Sequence, residues 1–235
     1  MRRSLVCLSL ALSLSAAAGC GNGQLLQPNE LSAIRVTNAS PDAPAVNFLF
    51  RNGELAHSVL SGSGRQYVYL AAGSASLDVE NAVGDILLDY PATLAGGSSY
   101  TFAITGSVSA LQPLLFTDDT TAAPTGSFKI RLLHLAPLGP AMDLYATAQG
   151  ADLSTATPVA TGIGFTQASA YVTAPAGNVQ LRLTQAGTTT VLREVGTFPL
   201  SSGQGVTLLL YGSTGAGGGG APYTSNLVAD HAGTN

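Results

Sequence analysis

The chain has 235 residues, of which 46% are hydrophobic and only 9% charged, with a formal net charge of -4. An average soluble protein carries roughly 25% charged residues. This composition supplies a core and excludes a basic nucleic-acid binder, an ion-pair-laced coiled coil and a polyampholyte disordered chain. No basic stripe exists to follow phosphates, so no nucleic-acid partner is expected.

Arg2 and Arg3 open the chain, and the run from Ser4 to Ala18 carries no charge. Its apolar middle is too short for a bilayer core of roughly 30 Å. Residues 1–19 therefore read as a secretory signal peptide. The four residues Ala17-Ala18-Gly19-Cys20 resemble the lipobox of bacterial lipoproteins. That resemblance implies cleavage before Cys20 and acylation of Cys20, so membrane lipid is an expected partner. Two or more buried acyl chains anchor firmly, whereas one holds only marginally. Gly21 stands where lipoproteins kept at the inner membrane tend to carry Asp. The resemblance thus implies a cell-envelope protein anchored at the outer membrane, with its periplasmic or surface face left open. Residues 20–32 read as the lipidated Cys and a flexible tether. Cys7 lies in the leader, so no thiol remains for a disulfide, a nucleophile or a metal. Apolar burial must hold the fold, and no cofactor is expected.

After the tether the chain reads as strands. Runs rich in β-branched and aromatic residues cover 33–38, 46–51, 54–60, 65–70, 75–81, 86–90, 100–105 and 110–116. Turn residues punctuate them at the short spacing of an all-β sandwich. Asn52-Gly53 is the strongest hairpin signal, because both central residues of a type I′ turn need positive φ. No stretch after the leader sustains a helical period.

The chain also repeats itself. Residues 34–48 (IRVTNASPDAPAVNF) align without a gap on 130–144 (IRLLHLAPLGPAMDL). The segment 69–73 aligns on 173–177, and 94–106 on 200–212. The expected fold is all-β: two tandem immunoglobulin-like antiparallel β-sandwich domains at 33–119 and 126–230. Residues 120–125 form the linker and 231–235 a C-terminal tail. The glycine-rich stretch from Ser213 to Pro222 reads as a flexible loop. No Lys or helix follows it, so it is no phosphate cradle.

The segment Ile34 to Val46 resembles the signature of a bacterial family known only as a domain of unknown function (number 4397). Its members carry a strand, an HASPDAPAVDVY-like segment and a hairpin, then an LPAG turn before a later strand. The matching turns here are Leu70-Ala71-Ala72-Gly73 and Ala174-Pro175-Ala176-Gly177. The resemblance spans nearly all of the chain beyond the leader, as two copies. The first copy has Asn38 and Asn47 where the family often has His and Asp. The second keeps His134, Asp143 and Tyr145 but loses the Ser and Asp of the proline-rich segment. The family implies a secreted or surface-attached β module and no known reaction.

Four polar residues stand out as ligand candidates: Ser40, Asp42, His134 and Asp143. Ser40 and Asp42 flank Pro41 in a proline-rich segment, where they can bond back to turn amides or face a ligand. The position aligned with Asp42 is Leu138, so the turn does not need an acid. His134 and Asp143 could form the first two parts of a catalytic triad. The ordinary alternative is a neutral His bonded to backbone, and no G-x-S-x-G elbow supplies a nucleophile. With His57 and His231 far off in sequence, no zinc-ligand spacing exists. Asp118, Asp119 and Asp230 read as solvated strand ends or as an interdomain calcium site, since hard cations take clustered oxygens. Tyr67 and Tyr69 could share one sheet face as a sugar platform or an aromatic cluster.

These readings favour a lipid-anchored, non-catalytic binding or scaffolding module for an envelope protein or polysaccharide. The alternatives are an envelope hydrolase using His134 as base and Asp143 as its orienter, and a purely structural envelope component.

Overall fold

The computed structural model describes residues 30–212 and 223–233. The leader, Cys20, nearly all of the tether and the 213–222 loop lie outside the described residues.

The first half runs through nine strands. They are β1 (Leu31–Asn38), β2 (Val46–Phe50), β3 (Gly53–Val59), β4 (Ser63–Gly64), β5 (Val68–Ala71), β6 (Gly73–Glu80), β7 (Ile86–Leu94), β8 (Ser99–Thr105) and β9 (Gln112–Asp118). The second half has β10 (Ser127–Leu135), β11 (Met142–Thr147), β12 (Ala160–Ile163), β13 (Val172–Pro175), β14 (Gly177–Gln185), β15 (Val191–Leu200), β16 (Gly205–Gly212) and β17 (Tyr223–His231). A 3-10 turn at Val108–Ala110 sits where the sequence suggests the start of a strand.

Four sheets result. Sheet 1 has the order β4-β1-β8-β9 with β5 also on β1, and sheet 2 is β3-β2-β6-β7. Sheet 3 is β13-β10-β16-β17, and sheet 4 is β12-β11-β14-β15. Strand by strand, sheet 3 has the order of sheet 1, and sheet 4 that of sheet 2. Pairing is antiparallel except for one parallel pair per half, β1 with β8 and β10 with β16. This corrects the wholly antiparallel expectation. β1 and β8 meet only after the chain has built sheet 2 and returned, which leaves them running the same way. The Asn52-Gly53 turn also shifts by one residue. Arg51 and Asn52 carry the positive φ values, 52° and 61°, and Gly53 already pairs with Phe50.

Each half buries its own core between its two sheets. In the first, Ile34, Val36, Phe48, Leu77, Val79 and Phe102 are fully or almost fully buried. The Phe48 and Phe102 rings meet edge to face at 5.9 Å. In the second, Phe128, Ile130, Leu132, Leu144, Leu181 and Leu208 take that role. A third cluster joins the halves, with Ala39 just beyond β1 and Ala103 of β8 against Leu133, Leu135, Leu209 and Tyr211 from sheet 3. The central strands β1 and β10 are therefore buried on both faces, and their burial does not alternate.

Charge is buried in this joint as well. Arg35 and Arg131 each donate through Nε to a threonine of their own half, Thr101 at 2.8 Å and Thr207 at 3.0 Å. Each threonine hydroxyl donates a hydrogen bond to an aspartate of its own half, Thr101 to Asp118 and Thr207 to Asp230, both at 2.7 Å. The arginines then cross over. Arg35 ion-pairs with Asp230 at 2.6 Å, and Arg131 pairs with Asp118. Arg35 also donates to the carbonyl of Ala229, and Arg131 to that of Thr117. Tyr67 and Tyr171 close the cluster, each under a guidanidinium-bearing side chain at 4.7 Å and each donating to the aspartate of its half. Burial pushes both phenols above their ordinary range.

The 120–125 segment is anchored at Ala123. Ala123 is buried and its N–H donates to the carbonyl of Gly203. Lys129 reaches back to Asp119 at 2.6 Å and to Thr121 at 3.0 Å.

Candidate functional site

Along β11 the residues alternate between faces. Met142 and Leu144 enter the core, whereas Asp143 and Tyr145 face away from it and form the floor of an open groove of about 680 Å³. Leu153, Ser154 and Pro158 line one side and the 188–190 turn the other. Arg182 on β14 pins the 148–159 segment in place by donating to Thr147 at 2.9 Å and to the carbonyl of Ala151 at 2.8 Å.

Asp143 holds the groove together. Its Oδ1 accepts from the N–H of Gly162 at 2.7 Å and its Oδ2 from the N–H of Gly187 at 2.8 Å. Gly187 has φ 74°, a region that favours glycine, and its turn is tightened by Thr188 donating to the carbonyl of Gln185. One carboxylate thus clamps both β12 and the β14–β15 hairpin. The position aligned with Asp143 is Asn47, whose Oδ1 accepts from the N–H of Ser58 at 2.9 Å. Leu49 stands where the second half has Tyr145.

The structure places His134 elsewhere. It is fully buried on sheet 3, and its Nε2–H donates to the carbonyl of Pro140 at 3.0 Å. Asn38, at the aligned position, donates through Nδ2 to the carbonyl of Pro44 at 3.3 Å. Both side chains thus brace the aligned proline-bearing loop. Among the described residues no hydrogen bond or ion pair joins His134 to Asp143. Burial holds the His134 ring below its ordinary pKa, against the opposing effect of backbone hydrogen bonds.

Ser40 and Asp42 come together within their loop. Ser40 donates to Asp42 at 3.1 Å and accepts from the N–H of Ala43 at 3.2 Å. Asp42 also accepts from the N–H of Val108 at 2.8 Å, tying this loop to the 3-10 turn. Asp118 and Asp230 do converge, but the cations between them are the two guanidinium groups. Asp119 belongs to Lys129. Among the described residues, no group of three or more His, Cys, Asp or Glu is placed to hold a metal ion. Tyr67 lies in the joint between the halves, while Tyr69 is 75% exposed on β5, so the two do not form one platform. His57 is exposed and lies 3.4 Å from Glu54.

Sequence reasoning missed two features. The crossed arginines had a signal, since Arg35 and Arg131 align within otherwise apolar strands. The groove had none, because it exists only once the 148–159 segment folds over sheet 4.

Comparisons with known proteins bear on this picture. A DUF4397 domain, described as Domain of unknown function (DUF4397), is found at residues 32–145, a span that ends on Tyr145. No curated protein matches the chain. Among solved structures, the chain is similar to a family 26 carbohydrate-binding module from Eubacterium rectale Amy13K in complex with maltoheptaose. Identity is 12% and the TM-score 0.27, over 84% of this chain and 96% of that one.

Proposed function

We propose that this is a lipid-anchored protein of the cell envelope, held at the outer membrane through Cys20, that acts as a non-catalytic binding or scaffolding module. Its body is read as two copies of one immunoglobulin-like sandwich, at 33–119 and 126–230, and its partner as an envelope protein or polysaccharide. The observation that carries the reading is the crossed pairing of Arg35 with Asp230 and of Arg131 with Asp118. Buried charges paired across the halves, with Arg35 also 3.6 Å from Asp118 of its own half, favour one rigid body over two jointed ones, and a rigid body suits display of a preformed groove and loops. The anchor is supported by the sequence, through Arg2, Arg3, the uncharged run to Ala18 and the lipobox-like residues up to Cys20.

Two measurements test the reading. Cells expressing the chain should incorporate labelled fatty acid into it, and Cys20→Ser should lose the label and move the protein out of the membrane fraction. The purified protein should retain a defined envelope protein or bind a glycan array. An unlabelled protein would remove the anchor. Turnover of envelope polysaccharide that is abolished by His134→Ala would replace the binding role with catalysis.

A further inference from the structure

We infer that the groove on the outer face of sheet 4 binds a neutral sugar unit, with the Tyr145 hydroxyl and the Asp143 carboxylate as its polar contacts. This rests on the binding-module reading and names the ligand class and the site.

The Tyr145 side chain carries the argument. The residue is 5% exposed and lines the groove, and among the described residues its hydroxyl makes no hydrogen bond to protein while staying accessible from the groove. With the ring packed away and the hydroxyl open to the groove, its partner there is water or a ligand. The fold does not demand the hydroxyl, because Leu49 fills the aligned position in the first half. Asp143 adds acceptor capacity. Each of its oxygens takes one amide N–H, and a carboxylate offers about four lone-pair sites in all. No Lys, Arg or His among the described residues pairs with it. These remaining acceptor sites favour a ligand that brings hydrogen-bond donors. Thr184, opposite Asp143 in register, has a buried hydroxyl without a partner.

The walls fit the same chemistry. Ser154, Thr161 and the threonines of the 188–190 turn offer hydroxyls, and Leu153 and Pro158 offer apolar surface. A pyranose ring has that combination, with hydroxyls around its edge and C–H groups on its faces. The volume lies within the roughly 300–1,000 Å³ usual for small-ligand sites.

The test titrates the detergent-solubilised full chain with cellohexaose, maltohexaose, mannohexaose and chitohexaose, followed by calorimetry and by amide resonances. A polygalacturonate oligomer and a lysine-rich peptide are run alongside. At least one neutral hexaose should bind and shift the amides of Gly162, Gly187 and the 188–190 turn. Tyr145→Phe, which removes one oxygen, should weaken binding about tenfold while leaving the melting midpoint in place, as loss of one hydrogen bond predicts. Asn47→Asp, at the aligned position of the first half, should leave the affinity unchanged. Binding that Tyr145→Phe does not weaken, or shifts confined to other loops, overturns the site while leaving a polysaccharide partner standing. Binding of the acidic oligomer or the peptide alone overturns the ligand class. If no hexaose binds but a defined envelope protein is retained, this inference falls and the binding-module reading stands. Failure of both removes both.

Discussion

Arg35 on β1 reaches Asp230 on β17 at 2.6 Å, with the two side chains 3% and 0% exposed. Its counterpart, Arg131 on Asp118, makes the same crossing in the opposite sense. Removing water from such charges is costly, and each is tolerated only because its partner and several neutral donors are in place. Taking away Asp230 leaves the buried Arg35 with only Asp118, 3.6 Å away and already paired with Arg131. Asp230→Ala should therefore lower the unfolding free energy by about 3–5 kcal/mol, read from urea titrations of the purified chain. Replacing the whole set of Arg35, Asp118, Arg131 and Asp230 with apolar residues of similar volume should recover most of that loss. A single substitution costing under about 1 kcal/mol, the size of a surface pair, would mean that the charges are solvated and the joint is open.

The joint also marks the boundary of what the residues reveal by themselves. The runs at 33–38, 46–51, 75–81 and 100–105 are legible as strands because their turn residues and β-branched side chains state a local preference. The self-alignment puts Arg35 on Arg131 and Asn38 on His134, and the structure gives each pair one job. Direction is not legible. Nothing in Ile34 to Asn38 says that β8 will lie beside it in parallel, since alternation reports faces and not the sense of a neighbouring strand. Nor does proximity in sequence bring His134 to Asp143. Eight residues and a proline-bearing loop carry the chain from sheet 3 to sheet 4, so the two side chains end in different layers.

Leu138 offers a separate check on the aligned loops. It stands where the first half has Asp42, is fully exposed, and has φ 64°. A leucine in the left-handed region pays roughly 1–2 kcal/mol of steric strain, and here no burial offsets it. Glycine relieves the strain but gives back part of the gain through the freedom of the unfolded chain. Leu138→Gly should raise the stability by about 0.5–1 kcal/mol, measured by urea unfolding. A loss of that size would show that the side chain is packed in solution.

Asp119 gives a pH signature for the segment between the halves. Partial burial acts to raise its pKa but is outweighed by hydrogen bonds from Lys129 and Thr121, and the carboxyl falls to about 2. The unfolded carboxyl titrates near 4. Because the folded value is the lower one, this contact contributes stability above about pH 4 and loses it as the pH falls toward 2. A carboxyl-carbon resonance titration should place the Asp119 midpoint near about 2. In Lys129→Met the midpoint should move back toward the ordinary value. A wild-type midpoint near 4 would show that Lys129 is not held against it.

His134 sets the opposite edge of the pH range. Its ring is buried, its Nε2–H is committed to the carbonyl of Pro140, and its Nδ1 has no hydrogen-bond partner. No carboxylate among the described residues pairs with it, so protonation would bury a charge without a counterion. Burial accordingly lowers its pKa. The unfolded chain takes up a proton near pH 6.5, before the folded chain does. Between the two values the unfolded state binds more protons, so stability falls as the pH drops below about 6.5 and stops falling once the folded ring titrates. His134→Gln keeps a donor for Pro140 but cannot titrate. The wild type should therefore lose stability relative to His134→Gln between pH 7.5 and 5, in urea unfolding series run on both proteins. His57 and His231 are present in both, so their contributions cancel in the difference. Parallel pH profiles would mean that the ring finds water or an anion on protonation, and that the brace it makes to the 136–141 loop opens in solution.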